Sequence, residues 1–328
     1  MARIRAFENA AEIASQGGVA AWGLAADAKP ALVRGPLHLS TGQEAVAAGV
    51  CKHLTHDDLL TSTHRGHGHT LAKGAATEPM MCELFGRASG TNKGKGGSMH
   101  IADFSVGMLG ANGVVAAGIP IAVGAAHALK IRRAPNVVVC FFGDGAVNRG
   151  PFLEGLNWAR VFGLPILFVC EDNRISATTP TAPMTAGEGA TARARSMGID
   201  GLTVDGNDVL AVHDAAATLL AQIRADGSSG GPRFLHAMTY RFKGHVSIDP
   251  AAYRDPAEVE AALLTDPLLI ARAKLHELGA TDGDVDAIDA AARAEIAAAL
   301  AAAEAAPWPD AAAAYQDIAT IGGDGPWR

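Results

Sequence analysis

The chain has 328 residues, 49% hydrophobic and 19% charged, a balance that excludes wholesale disorder and allows one large domain or two modest ones. Its 27 Lys and Arg against 34 Asp and Glu give a net charge of −7, so the basic footprint of a general nucleic-acid binder is absent. No apolar run approaches the roughly 20 residues that a membrane helix needs, so neither nucleic acid nor membrane is expected as a partner.

The N-terminal stretch carries Ile4, Phe7, Ala10, Ala11 and Ala14 at helical spacing, which predicts a first helix over residues 3–16. It lacks the continuous apolar stretch of a secretory signal, so the cytoplasm is the expected compartment. Residues 17–36 are rich in Gly and Pro and read as loop or short helix. Thr41-Gly42-Gln43-Glu44 is a capping-box pattern and predicts Thr41 as the cap of a second helix. Residues 86–118 are Gly-rich but interrupted by Met99, Ile101, Phe104, Met108 and Leu109, which predicts an ordered loop lying against a core.

Helical periodicity returns over 119–131. A continuous apolar strand over 136–142 then ends in Gly143-Asp144-Gly145. A helix over 150–162 and a second buried strand over 165–170, ending in Glu171-Asp172-Asn173, complete a βαβ unit. A strand over 201–204, a helix over 208–225 and a strand over 232–240 follow, the last running on to Gly244-His245. Two Ala-rich helices, 256–276 and 285–305, close the chain. Of the four cysteines, Cys140 and Cys170 sit inside strand runs and are expected to pack in the core. The predicted fold is α/β, a mostly parallel sheet flanked by helices, with a helical C-terminal segment. Residues 1–35 form a helix and loop, 36–255 the α/β domain, and 256–328 helices packed on that domain.

Ligands of open parallel sheets bind outside the carboxyl ends of the strands. Asp144 and Asn173 are expected at neighbouring strand ends, where a carboxylate and an amide oxygen suit Mg2+ shared with a phosphate. Gly143 and Gly145 would let the backbone approach that phosphate, and the helix after Gly145 would offer its N-terminal N–H groups. Gly-Asp-Gly is also a common turn; the βαβ context and the second polar strand end favour the binding site.

Gly143-Asp144-Gly145-Ala146 followed by Asn173 resembles the thiamine diphosphate fingerprint. His38-Leu-Ser-Thr-Gly-Gln-Glu-Ala45, Ser62-Thr-His-Arg-Gly-His-Gly-His69, Gly94-Lys-Gly-Gly-Ser-Met-His100 and Leu109-Gly-Ala-Asn-Gly-Val114 precede it in order. From about residue 36 to beyond 255 the chain resembles the alpha subunit of the thiamine diphosphate-dependent 2-oxo acid and acetoin dehydrogenases, nearest the acetoin branch. The resemblance implies a thiamine diphosphate-binding fold, with Asp144, Asn173 and the carbonyl of Ile175 on Mg2+. It places Gly143, Gly145, Ala146, His64, Arg65 and His245 among the cofactor-binding groups, Arg65 clamping the diphosphate. It implies Gly113 and Val115 against the aminopyrimidine, and His67 and His245 as catalytic histidines moving protons.

The same resemblance implies a beta subunit supplying the glutamate that activates the aminopyrimidine, an alpha2beta2 heterotetramer, and a lipoyl-bearing acyltransferase as acceptor. The expected reaction is cleavage of acetoin into an acetyl fragment and acetaldehyde. Oxidative decarboxylation of pyruvate or a branched-chain 2-oxo acid is the alternative, and a catalytically silent scaffold for a beta subunit and lipoyl carrier is a third reading. Asp172 replaces the first Asn of the usual pair, Ile175 a common Tyr, and Val246 the regulatory serine of the pyruvate enzymes. Residues 17–31 look longer than the family norm, as a channel-shaping segment or a surface insertion. His64, His67 and His69 also suit a zinc site, disfavoured by Arg65 among them and by the lack of an accompanying Cys or acidic cluster.

Overall fold

A computed structural model describes residues 1–16, 30–228 and 230–317. The expectations for residues 17–29, most of the 17–31 segment, lie outside the described residues. Six parallel strands form one sheet: β1 (Leu59–Thr63), β2 (Met108–Asn112), β3 (Val138–Gly143), β4 (Ile166–Asp172), β7 (Gly201–Asp205) and β8 (Arg233–Met238). Their order is β2-β1-β3-β4-β8-β7. Two short strands, β5 (Ile175–Ser176) and β6 (Thr179–Pro180), make a separate antiparallel pair just beyond β4.

β3 shows why an unbroken apolar run becomes a central strand. Val139 and Phe141 face one core, which includes Phe7, Val50 and Leu219; Val138, Cys140 and Phe142 face the other, with Val123, Phe152 and Leu156. Helices therefore cover both faces: Ala2–Ser15, Glu44–Cys51 and the helix 209–228 on one, Gly118–Arg132 and Gly150–Val161 on the other. All four cysteines are free and buried.

The predicted elements appear with three differences, besides β1 and β2, which are not predicted, β2 lying within the segment expected to be an ordered loop. First, Thr41 caps nothing: the helix begins at Glu44 behind Gln43, and the Thr41 hydroxyl is buried without a partner. Glu44 instead accepts from the Gly42 N–H at 2.9 Å and pairs with Arg5 of the N-terminal helix. Second, the helix predicted over 150–162 starts at Gly150 as expected, but Asp144–Asn148 ahead of it is a 3-10 turn, so the N–H groups next to Gly145 belong to that turn and not to an α-helix N-terminus. Third, the helix expected over 256–276 breaks into Pro256–Leu263 and Pro267–Glu277, because Pro267 cannot continue a helix and Asp266 caps a new one through the Leu268 N–H. The last long helix, Asp282–Ala305, opens with a Thr281–Asp284 capping box and packs on Thr77–Leu84 and Ala2–Ser15.

The Gly-rich segment is ordered by one buried carboxylate. Glu83 accepts from the backbone N–H groups of Asn92 and Gly94 at 2.8 Å each, Gly96 at 2.7 Å and Gly97 at 3.0 Å. A Cβ at Gly90 would lie 2.4 Å from a Glu83 carboxylate oxygen, so glycine is required there. Ile101 and Met108 then anchor the segment in the core, whereas Phe104 stays exposed. Glu83→Ala strands four amides at once. At about 1–3 kcal/mol per unsatisfied buried group, a chemical melt should show a loss of at least ~3 kcal/mol, and Glu83→Gln a smaller one.

Candidate active site

The ends of β1, β2, β3 and β4 and the loop after β8 surround one cavity. The β3 and β4 ends contribute Gly143, Asp144, Gly145 and Ala146, then Asn173 and Ile175. Residues 143 and 171 are register partners, so Asp144 and Asn173 do come from adjacent strand ends. Asp144 is buried, and its Oδ2 has no hydrogen-bond partner. Burial, with the charge of Asp172 adding to it, pushes its carboxyl up to about 6 despite the opposing Thr181 hydroxyl. Asn173 is fixed from both sides: its Nδ2 donates to Gln43 Oε1 at 3.0 Å, and its Oδ1 accepts from the Ile175 N–H at 3.2 Å.

A buried, unpartnered carboxylate oxygen beside an amide oxygen fits a hard divalent cation. The glycines differ in role. A Cβ on Gly143 would meet only the Glu171 carbonyl at 3.9 Å, leaving room for a ligand, whereas one on Gly145 would lie 2.3 Å from Ser176 Oγ. Packing against Ser176 is therefore enough to require glycine at 145.

The β1 end brings His64 and Arg65 to the cavity. The Arg65 guanidinium is buried and donates to the carbonyls of Leu39 at 2.9 Å and His245 at 2.8 Å and toward His245 Nδ1 at 3.2 Å. Burial and neighbouring Arg241 push it down to about 9. A buried cation held by carbonyls rather than by a carboxylate is a site prepared for an anion. From the β2 end come Gly113 and Val115. The next residue, Ala116, has φ +71, a conformation that L side chains rarely adopt, so the backbone is strained where it lines the cavity.

His38, His64 and His245 meet at this cavity, each with a ring nitrogen within 4.8 Å of the others. The His38 ring centroid lies 4.6 Å from that of His64 and 4.9 Å from that of His245. Burial first and the Arg65 charge second lower all three, to about 3 for His38, about 2 for His64 and about 4 for His245. They are uncharged at neutral pH.

His67, expected to be catalytic, is not among the residues that line the cavity. It is fully buried, its Nδ1 3.0 Å from Glu8 Oε2 and its Nε2 3.0 Å from Ser98 Oγ. Glu8 also accepts from the Ser40 N–H and hydroxyl. Burial alone would raise its carboxyl, but His67 and Ser40 hold it below its ordinary value. His67 thus ties the N-terminal helix to the Gly-rich segment. His69 lies apart again, between Ser62 Oγ at 2.8 Å and Glu171 Oε1 at 3.1 Å, stacked on Phe141. The rival zinc set His64, His67 and His69 is therefore dispersed.

Sequence reasoning missed Gln43 and His38 as cavity residues, and named Glu171 only as part of a polar strand end. Gln43 and His38 stand inside a quoted motif, but the helix-capping pattern there drew attention to Thr41 and Glu44 instead.

The family model described as "Dehydrogenase E1 component" matches residues 24–312. The alpha subunit of acetoin:2,6-dichlorophenolindophenol oxidoreductase from Bacillus subtilis (strain 168) is 50% identical over 224 residues, 68% of this chain and 66% of that protein. Its counterpart from Cupriavidus necator is 46% identical over 228 residues, 70% of this chain and 68% of that protein. The pyruvate dehydrogenase E1 component subunit alpha of Rhizobium meliloti (strain 1021) is 38% identical over 288 residues, 87% of this chain and 82% of that protein. The match therefore spans just under two thirds of the B. subtilis relative's length.

Proposed function

Because the chain belongs to the dehydrogenase E1 component family, we propose that it is the alpha subunit of a thiamine diphosphate-dependent oxidoreductase that cleaves acetoin. The products are an acetyl fragment, passed to a lipoyl group on a separate acyltransferase, and acetaldehyde. The two relatives named for acetoin, at 50% and 46% identity, support that substrate over a 2-oxo acid. The 38% relative named for pyruvate keeps oxidative decarboxylation as the second reading.

One observation carries the cofactor assignment: the orphaned, buried Asp144 Oδ2 beside Asn173, in the same cavity as an Arg65 that no carboxylate neutralises. Asp144, Asn173 and the Ile175 carbonyl would hold Mg2+. Arg65, His64, His245, Gly143 and the backbone at Gly145 and Ala146 would hold the diphosphate, and Gly113 and Val115 the aminopyrimidine. When bound, thiamine diphosphate supplies a nucleophilic carbon and an electron sink. The protein orients the substrate, excludes water and moves protons at the imidazoles of the cavity.

The carboxylate that works on the aminopyrimidine belongs, in this reading, to a beta subunit of an alpha2beta2 assembly. Val114 and Val115 at the cavity are 64% and 43% exposed, apolar surface that a second chain would cover. No helix among the described residues is long and apolar enough to cross a membrane, and we place the enzyme in the cytoplasm. We also assign residues 36–255 to cofactor binding, with 1–35 and 256–328 as supporting segments.

Co-purifying the tagged chain with its partner and following dye reduction with acetoin, pyruvate and branched-chain 2-oxo acids tests this reading. Turnover of acetoin is expected. Turnover of a 2-oxo acid alone would overturn the substrate assignment.

A further inference from the structure

A 2-oxo acid and an α-hydroxy ketone are cleaved with different proton demands. The carboxylate of a 2-oxo acid leaves as carbon dioxide and surrenders no proton. The carbinol carbon of acetoin leaves as an aldehyde only if its O–H proton goes to a base as the carbon–carbon bond breaks. Resting on the acetoin reading, we propose that the His38 imidazole is that base and fits this cavity to α-hydroxy ketones.

In that step the carbinol O–H bond breaks and the proton passes to a His38 ring nitrogen. The O–H electron pair becomes the second bond of the aldehyde C=O. The pair from the broken carbon–carbon bond stays with the acyl fragment, for which thiamine diphosphate is the electron sink, and the imidazolium later returns its proton to water.

His38 lines the cavity, is only 5% exposed, and has an Nδ1 sealed from solvent with no partner. Orphaned buried polar atoms in a native fold call for a ligand or a function. Three of the other bases of the cavity are engaged, and the proposed function places the fourth, His64, on the diphosphate. His245 Nδ1 faces an Arg65 donor at 3.2 Å, and Glu171 is held by His69. Asp144 stands at the metal position. His38 is also central among the imidazoles, since its centroid is nearer to both neighbours than theirs are to each other, 5.6 Å. Burial and Arg65 keep its lone pair free of a proton at neutral pH. A bound diphosphate on Arg65 would offset that positive charge and strengthen the base.

The test replaces His38 by Asn in the reconstituted alpha–beta enzyme and makes three measurements: kcat on acetoin, the dissociation constant of thiamine diphosphate, and hydrogen–deuterium exchange at the thiazolium C2 of the bound cofactor. A base at the leaving fragment predicts a fall in kcat of at least about 100-fold, with cofactor affinity and C2 exchange within about twofold of wild type. Acetoin turnover within threefold of wild type would overturn the proposal. So would a parallel loss of C2 exchange or cofactor affinity, which would place His38 on the cofactor instead. A wild-type pair that cleaves no acetoin would overturn the substrate reading itself, a result distinct from either.

Discussion

Asp144→Asn is expected to abolish turnover while raising the melting temperature of the cofactor-free protein. The carboxylate is buried, lacks a partner at Oδ2 and is pushed up to about 6 from its ordinary value near 4. At neutral pH the folded, cofactor-free protein must carry that charge desolvated. A shift of roughly two units at 1.36 kcal/mol each sets this cost at about 3 kcal/mol. Asparagine removes the charge and keeps the shape, so the empty protein should melt higher by several degrees. The same change takes a charged ligand from the metal. Losing one partner of a buried charge pair costs roughly 3–5 kcal/mol, which is about a thousandfold in turnover. The stabilisation that Mg2+ and thiamine diphosphate give wild type should vanish in the variant. Thermal melts with and without both ligands, beside turnover, check the two signs together. A variant less stable when empty yet still stabilised by Mg2+ would show that Asp144 is structural.

Arg65→Met is the second large effect, and it should fall on cofactor binding. The guanidinium is buried and hydrogen-bonds only to carbonyls and a histidine; burial and Arg241 depress it to about 9, and the more distant charges of Glu8 and Glu171 offset only part of this. It therefore lacks a directly paired anion. Removing a buried hydrogen-bonded charge that faces a charged partner costs roughly 2–5 kcal/mol, so the dissociation constant of thiamine diphosphate should rise at least about 30-fold. Arg65→Lys keeps the charge but loses the planar fork, and should recover only part of that affinity. Equilibrium titration of the cofactor into each variant reads this directly. Unchanged affinity in Arg65→Met would remove Arg65 from the diphosphate site.

The central strands were legible because β3 and β4 are unbroken apolar runs, which only a sheet covered on both faces accommodates. β1 and β2 were not. Leu59–Thr63 ends in Thr61, Ser62 and Thr63, and Met108–Asn112 contains Gly110 and ends in Asn112, so neither carries an apolar period. Their places come from pairing with β3 and with each other, which is tertiary information. The break at Pro267 was written in the chain, but the Ala-rich periodicity on either side masked it.

The same distinction runs through the cavity. Asp144, Asn173, Arg65 and His245 stand in local motifs whose chemistry is readable in place, and the fold brings all four to one cavity. The position of His67 was not readable. Its motif suggested a catalytic histidine, yet Glu8, 59 residues away on the first helix, and Ser98 from the Gly-rich segment take both its ring nitrogens. His38 was missed for the complementary reason, since only the assembled cavity shows that His64 and His245 converge on it.

The central claim is that this cavity works through a metal-held diphosphate cofactor. The most direct measurement strips the co-purified alpha–beta enzyme of divalent metal and thiamine diphosphate, then follows acetoin-dependent dye reduction as each is restored. Activity should disappear on stripping and return only when Mg2+ and thiamine diphosphate are both present. Turnover that survives stripping, or that returns with one of them alone, would contradict the account.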